Sequence, residues 1–249
     1  MMKYLLKIAF IGTAYCGFQA QDNAPSIQRI LTGAAEKVFG CGCLVTGCSR
    51  TDSGVHALGY CATVEPLGRV PSIRTENIPM AMCSVLPEDI GVLSASEVPD
   101  SFHPRYSAKG KEYIYLIYTQ AERNPFYTGR AWMRRMRACE AVLPMRAAAS
   151  AMCGTNDYRS FMAAGSKVTD TVRTVSSFSV AEDEGVIRLT VCADGFLYNM
   201  VRIMAGTLAE VGDGKISPDS VADIIAARDR SAAGMTAPAC GLYLSRVFY

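Results

Sequence analysis

Ser26–Gly40, SIQRILTGAAEKVFG, decides how the N-terminal half is read. Ile27, Ile30, Leu31, Ala34, Ala35, Val38 and Phe39 fall at i, i+3, i+4, i+7, i+8, i+11 and i+12, one apolar stripe at helical period. Ser26 is placed to N-cap this helix and Gly40 to end it. Before it lie a strand, 3–10 (KYLLKIAF), and a polar loop, Gly12–Pro25, that includes Asp22 and Asn23. After it come short strands at 43–48 and 60–65, with a loop from Ser49 to Ala57 between them. Residues 75–86 read as a weaker helix interrupted by Pro79, and 91–98 as a strand. Lys111–Thr119 (KEYIYLIYT), rich in aromatic and β-branched residues, is a further strand.

The second half continues the mixture. Residues 141–153 read as a helix with Pro144 near its start. The segments 169–181 and 186–193 pair as strands around a turn at 182–185. Phe196–Val211 reads as a helix stopped by Gly212. Ser217-Pro218-Asp219 has the form of a helix start, with that helix running to about Arg228, and 242–248 is a closing strand. Helices and strands alternate in both halves, so the expected class is α+β with two similar mixed lobes, 1–105 and 106–249, divided at the polar, Pro-bearing stretch near 101–111.

The 249-residue chain is 50% apolar and 19% charged, with mean hydropathy +0.14. That predicts a well-filled core and excludes intrinsic disorder. No apolar run approaches a bilayer span. Met1–Cys16 bears a surface likeness to a secretory leader, but Lys7 interrupts it and Tyr15 is too bulky for a cleavage site, so it reads as the first strand of a cytoplasmic protein. Ten cysteines (16, 41, 43, 48, 61, 83, 139, 153, 192, 240) lie mostly among apolar neighbours and read as reduced, small hydrophobes. Cys41, Cys43 and Cys48 cluster, but a C-x-C without a nearby His falls short of a structural zinc pattern, and reduced thiols on a strand are the expected reading.

The formal net charge is only +2. Between Ser101 and Arg137, however, stand Arg105, Lys109, Lys111, Arg123, Arg130, Arg134, Arg135 and Arg137 against Glu112 and Glu122. Eight minus two leaves a local surplus of six, so the rest of the chain sums to −4. A polyanion backbone requires such a patch. Phe126, Tyr127 and Trp132 interleave these cations, for stacking on unpaired bases or for the core.

Cys48–Ala57, CSRTDSGVHA, packs a guanidinium, hydroxyls, a carboxylate and an imidazole into one loop. Taken alone, Arg-Thr-Asp suits a structural turn. The string Arg50–Ala57 (RTDSGVHA), however, resembles the catalytic loop of the tRNA pseudouridine synthase A family. Further matches follow in family order: Tyr15–Gln19 (YCGFQ), Ser26–Gln28, Leu86–Ile90 (LPEDI), Phe102–Ala108 (FHPRYSA) with Tyr113–Tyr115, Phe196–Arg202 (FLYNMVR) with Gly206 and Gly212, and Ala239–Leu244. Three positions depart from the family's pattern: Ser49 where Gly is usual, Ile11 in place of Asp, and Tyr60 where Gln is frequent.

The resemblance implies two lobes whose antiparallel sheets join across a central catalytic cleft, the pseudouridine synthase fold. It also implies a homodimer, and isomerisation of uridine to pseudouridine at uridines 38, 39 and 40 of the tRNA anticodon stem-loop, without cofactor. It assigns Asp52 as the catalytic carboxylate and Arg202 as its counter-ion. Tyr113 would lie against the target base, and Arg50 would help expel that base from its stack. His56 would order the loop. Arg105, Lys109, Lys111, Arg130, Arg134 and Arg135 are the expected RNA-binding cations. A non-catalytic tRNA chaperone and a metal-dependent RNA enzyme are the rival readings. The first predicts RNA binding without turnover, the second loss of activity in chelator.

Overall fold

A computed structural model of the chain describes residues 2–21, 24–68, 73–166 and 168–249. Met1, Asp22 and Asn23 of the sequence reading lie outside the described residues. The contacts divide the chain into two compact units, Met1–Lys109 with Leu244–Tyr249, and Gly110–Tyr243.

In the first unit, β1 (Tyr4–Phe10) buries Tyr4, Leu6, Ile8 and Phe10 on one face, the period-2 pattern of a half-buried strand. It pairs antiparallel with β3 (His56–Pro66) and β4 (Ile90–Glu97), while β2 (Cys43–Gly47) pairs antiparallel with β3. Helix α1 (Ile27–Phe39) follows its stripe: Ile27, Leu31, Ala34, Ala35 and Phe39 are buried. Ser26 Oγ accepts the Arg29 N–H at 3.4 Å, and Gly40 takes the left-handed conformation at φ 67°. The weaker helix differs from expectation. A 3-10 turn at Thr75–Asn77 leads into α2 (Ile78–Cys83), and Pro79 sits in its first turn. There its missing N–H has no intrahelical partner to lose, so it starts the helix and does not interrupt it.

In the second unit, β5 (Gly110–Tyr118), β9 (Val186–Ala193), β8 (Val172–Asp183) and β7 (Gly154–Asp157) form an antiparallel run in that order. The two-residue strand β6 (Trp132–Met133) pairs parallel with β5. The β8–β9 turn is Glu184–Gly185, both at positive φ (48° and 79°), which matches the twist of the flanking strands. Helix α3 (Ala138–Ala151) begins three residues before the expected start, which puts Pro144 inside it. Burial of Ala141, Val142, Met145, Ala148 and Ala149 holds the helix despite the lost bond. Helix α4 (Met200–Gly212) starts four residues later than the pattern suggests, because Asn199 is left-handed at φ 59°. Asn accepts that conformation more readily than most residues. Ser217 makes no side-chain cap. A 3-10 turn, Pro218–Ser220, precedes the short α5 (Val221–Ala227). The closing strand is β10 (Leu242–Phe248), whose residues from Leu244 onward belong to the first unit. Among the described residues no helix is long and apolar enough to cross a membrane.

Candidate active site

The loop bearing Asp52 leaves β2 at Cys48, whose N–H bonds the Cys61 carbonyl at 2.9 Å, and rejoins the sheet at His56. Its turn is closed through the main-chain carbonyl of Asp52, which accepts the Val55 N–H at 3.2 Å, with Gly54 at φ 78°. Asp52 itself is half-buried and Arg50 is exposed.

The Tyr15–Gln19 loop lies directly against this turn. The Tyr15 carbonyl accepts the Gly54 N–H and the Ser53 hydroxyl, each at 3.3 Å, and Phe18 N–H donates to the Thr51 carbonyl at 3.3 Å. Gly17 sits at φ 88°, and a Cβ there would run into the Thr51 carbonyl and the Asp52 backbone. Gly12 is as close to the Val55 carbonyl. Both positions therefore need glycine to let the chains approach. The start of α1 fixes the other side of the Tyr15–Gln19 loop: Gly17 and Phe18 carbonyls accept the Ile27 and Gln28 N–H groups, and Gln28 bridges the Ala20 N–H and the Val45 carbonyl. The Tyr15 phenol donates to Asp89; burial first, and then that carboxylate, push its pKa up.

Both ends of the Asp52 turn are tied down. His56, fully buried, accepts the Gly12 N–H at Nδ1 (2.9 Å), the loop-ordering role expected of it. At the other end the fully buried Tyr60 donates its phenol to the Ser49 carbonyl and accepts the Ser49 N–H at 3.3 Å. Its ring stacks on Phe18 at 4.4 Å. Two of the three departures from the family pattern, Ser49 and Tyr60, thus touch each other. Reading single positions along the sequence carried no signal of that pairing.

In the second unit, Tyr113 on β5 is 7% exposed and meets Phe196 edge-on, with centroids 4.9 Å apart. Arg202 lies in the first turn of α4. Its Nη1 donates to Asn199 Oδ1 at 2.9 Å and its Nε to the Ala237 carbonyl at 2.8 Å, while the Ala237 N–H returns to the Arg202 carbonyl at 3.0 Å. The guanidinium is thus held by built acceptors and is no solvated surface cation. Gly206 lets the Met235 carbonyl lie against α4, and Gly234 packs, less tightly, on the Thr207 backbone. Tyr115 donates to Pro238 at 2.8 Å, so one segment, 233–238, braces both α4 and β5.

The expected RNA-binding cations divide. Arg105, Lys109, Arg130 and Arg135 are exposed, and Lys111 is half-buried. Arg134 is held differently. It pairs with Asp213, the two side chains are 17% and 19% exposed, and its guanidinium lies 4.6 Å from the Trp132 ring. Trp132 is itself buried, Tyr127 stacks on Tyr118 at 5.0 Å, and Phe126 stands 77% exposed. Among the described residues no group of three or more His, Cys, Asp or Glu is placed to hold a metal ion.

A family model described as tRNA pseudouridine synthase matches residues 7–107 and 148–249, segments that contain Asp52 and Arg202. Proteins named tRNA pseudouridine synthase A from Thermoanaerobacter sp. (strain X514), Ruminiclostridium cellulolyticum and Clostridium kluyveri are 43%, 42% and 41% identical, each over the full length of both chains. A solved chain of a Cbf5-Nop10-Gar1 complex aligns at TM-score 0.42 and 12% identity, over 97% of this chain and 48% of that one. With matches across both units and over the full length of its relatives, the chain belongs to the tRNA pseudouridine synthase family.

Proposed function

We propose that the protein isomerises uridine to pseudouridine at positions 38, 39 and 40 of the tRNA anticodon stem-loop, with Asp52 as the catalytic carboxylate. The observation that carries this reading is the clamp on the Asp52 turn: glycines at 12 and 17, His56 and Tyr60 fix its backbone from three sides. A carboxylate held in one place is what an attack or elimination at a sugar–base bond requires.

In the reaction the N1–C1′ bond breaks, the base turns, and C5 bonds to C1′. The C5 proton leaves to solvent and N1 takes one up, so atoms balance without an outside reagent. Tyr113 offers its ring for stacking on the extruded uracil and its phenol for proton transfer. Arg50, exposed on the loop, takes the place of the expelled base. Arg105, Lys109, Lys111, Arg130 and Arg135 serve the phosphates, and Arg134, whose charge is met by Asp213, supports the fold instead. The proposal includes a cytoplasmic homodimer, in which two patches share one RNA.

Transcribed tRNAs bearing C5-tritiated uridine, with uridine retained at only one of the three positions in turn, test the site assignment. Tritium release from these substrates is expected; no release from any of the three rejects it. A strictly monomeric protein in light scattering, still fully active, rejects the dimer.

A further inference from the structure

His103–Ser107 forms a turn fixed by an unusual density of bonds. Ser107 N–H donates to the His103 carbonyl at 2.9 Å, and His103 N–H donates to Ser107 Oγ at 3.1 Å. The His103 imidazole accepts two backbone N–H groups at Nδ1, from Arg105 at 3.1 Å and Tyr106 at 3.3 Å. The Tyr249 phenol donates to the Pro104 carbonyl at 2.9 Å, and its ring packs on Phe102 at 5.0 Å. On this mount the Tyr106 ring is 77% exposed. The His103 ring backs it at 4.4 Å, and the Arg105 guanidinium lies 5.8 Å from its centroid.

A bare aromatic on a mobile loop calls for no account. One held rigidly outward beside cations does. Its ordering entropy is already lost, so a flat partner binds it without further cost on the protein side. An unpaired nucleotide matches it in shape and charge: the base stacks on the ring, and its phosphate meets Arg105 or the exposed Lys109. A paired base, stacked within its helix, offers no free face.

We propose that Tyr106 is a stacking platform for an unpaired base of the tRNA, buttressed by His103 and flanked by Arg105. This extends the family's use of tRNA to residues that take no part in the bond rearrangement.

The test measures the affinity of the full-length protein for a tRNA stem-loop and for a duplex of equal length without a loop, by anisotropy at fixed salt. Tyr106→Ala is expected to weaken stem-loop binding about ten-fold, the scale of one stacked base, and to leave duplex binding unchanged. Tyr106→Phe keeps the ring and is expected to bind both RNAs as the unsubstituted protein does. At saturating tRNA, Tyr106→Ala is expected to release tritium at the unsubstituted rate, so the effect lies in KM and spares kcat. Unchanged stem-loop affinity, equal loss for both RNAs, or a fall in kcat would each overturn the platform. Absence of tritium release by the unsubstituted protein, with intact stem-loop discrimination, would instead count against the catalytic assignment of Asp52.

Discussion

Gly17→Ala isolates the clamp on the Asp52 turn. A non-glycine residue at φ 88° carries the strain of the left-handed region, about 1–2 kcal/mol. The new Cβ would also lie well inside contact of the Thr51 carbonyl and 3.2 Å from the Asp52 carbonyl carbon. The 51–53 backbone then has to retreat by roughly 1 Å to restore ordinary carbon–oxygen contact. Overpacking of this kind adds about 1–3 kcal/mol, so the combined loss is about 2–5 kcal/mol. For a chain of this size that is a fall in Tm of roughly 4–20 °C. The functional effect is larger, because a displacement of about 1 Å at a reacting group lowers rate by about a hundred-fold. Single-turnover tritium release below the variant's Tm reads this directly. Gly33→Ala is the control: it lies in α1 with nothing within 4 Å of its Cβ, and is expected to stabilise by about 0.5–1 kcal/mol with unchanged turnover. A Gly17→Ala protein as fast as the unsubstituted one would refute the idea that close backbone approach fixes the turn.

Other consequences follow from the same geometry. Tyr60→Phe removes the hydroxyl that bridges both main-chain groups of Ser49; it should lower stability by about 1–3 kcal/mol in urea titrations and slow turnover while leaving RNA affinity intact. Arg130→Ala with Arg135→Ala should weaken tRNA binding and reduce the log–log salt slope by about 0.7–0.9 per lost phosphate contact, whereas Arg134→Ala should lower Tm through Asp213 and Trp132 and leave the slope nearly unchanged. Burial works to raise the pKa of Asp157, but the Thr171 hydroxyl, the Arg159 N–H and the charges of Arg159 and Arg228 outweigh it and hold the carboxyl below its usual value. Its contribution to stability is therefore complete above about pH 4 and lost as pH falls through the depressed pKa. Asp157→Asn should flatten that acid limb of the urea-midpoint profile, and an unchanged limb would contradict the assignment.

Much of this architecture is local and therefore readable in the sequence. Helix α1 announces itself because stripe, N-cap and C-cap are all short-range. The β8–β9 hairpin lies around Glu184–Gly185 for the same reason. What escaped depends on distance or on backbone states that periodicity cannot express. Phe196–Asn199 has the hydropathy of a helix, but a left-handed Asn199 delays α4 until Met200. That delay puts Arg202 in the first turn, within reach of Asn199 Oδ1. The strands β6 and β7, two and four residues long, carry too few alternations to register. That Leu244–Tyr249 belongs to the first unit is a non-local fact. In the candidate site, motif order singles out Asp52, Tyr113 and Arg202, whereas the partnership of Tyr60 with Ser49 spans a loop and became visible only in three dimensions. Arg134 shows the converse: a cation in a basic run reads as RNA-binding, and only the carboxylate of Asp213, 79 positions away, gives it a structural partner as well.

The central claim is that the carboxylate of residue 52 drives the rearrangement. Asp52→Asn keeps the shape of the side chain and removes its charge. Incubated in excess over C5-tritiated tRNA, the variant should bind RNA with the affinity of the unsubstituted protein and release no tritium. Release at a rate within ten-fold of the unsubstituted protein would contradict the account.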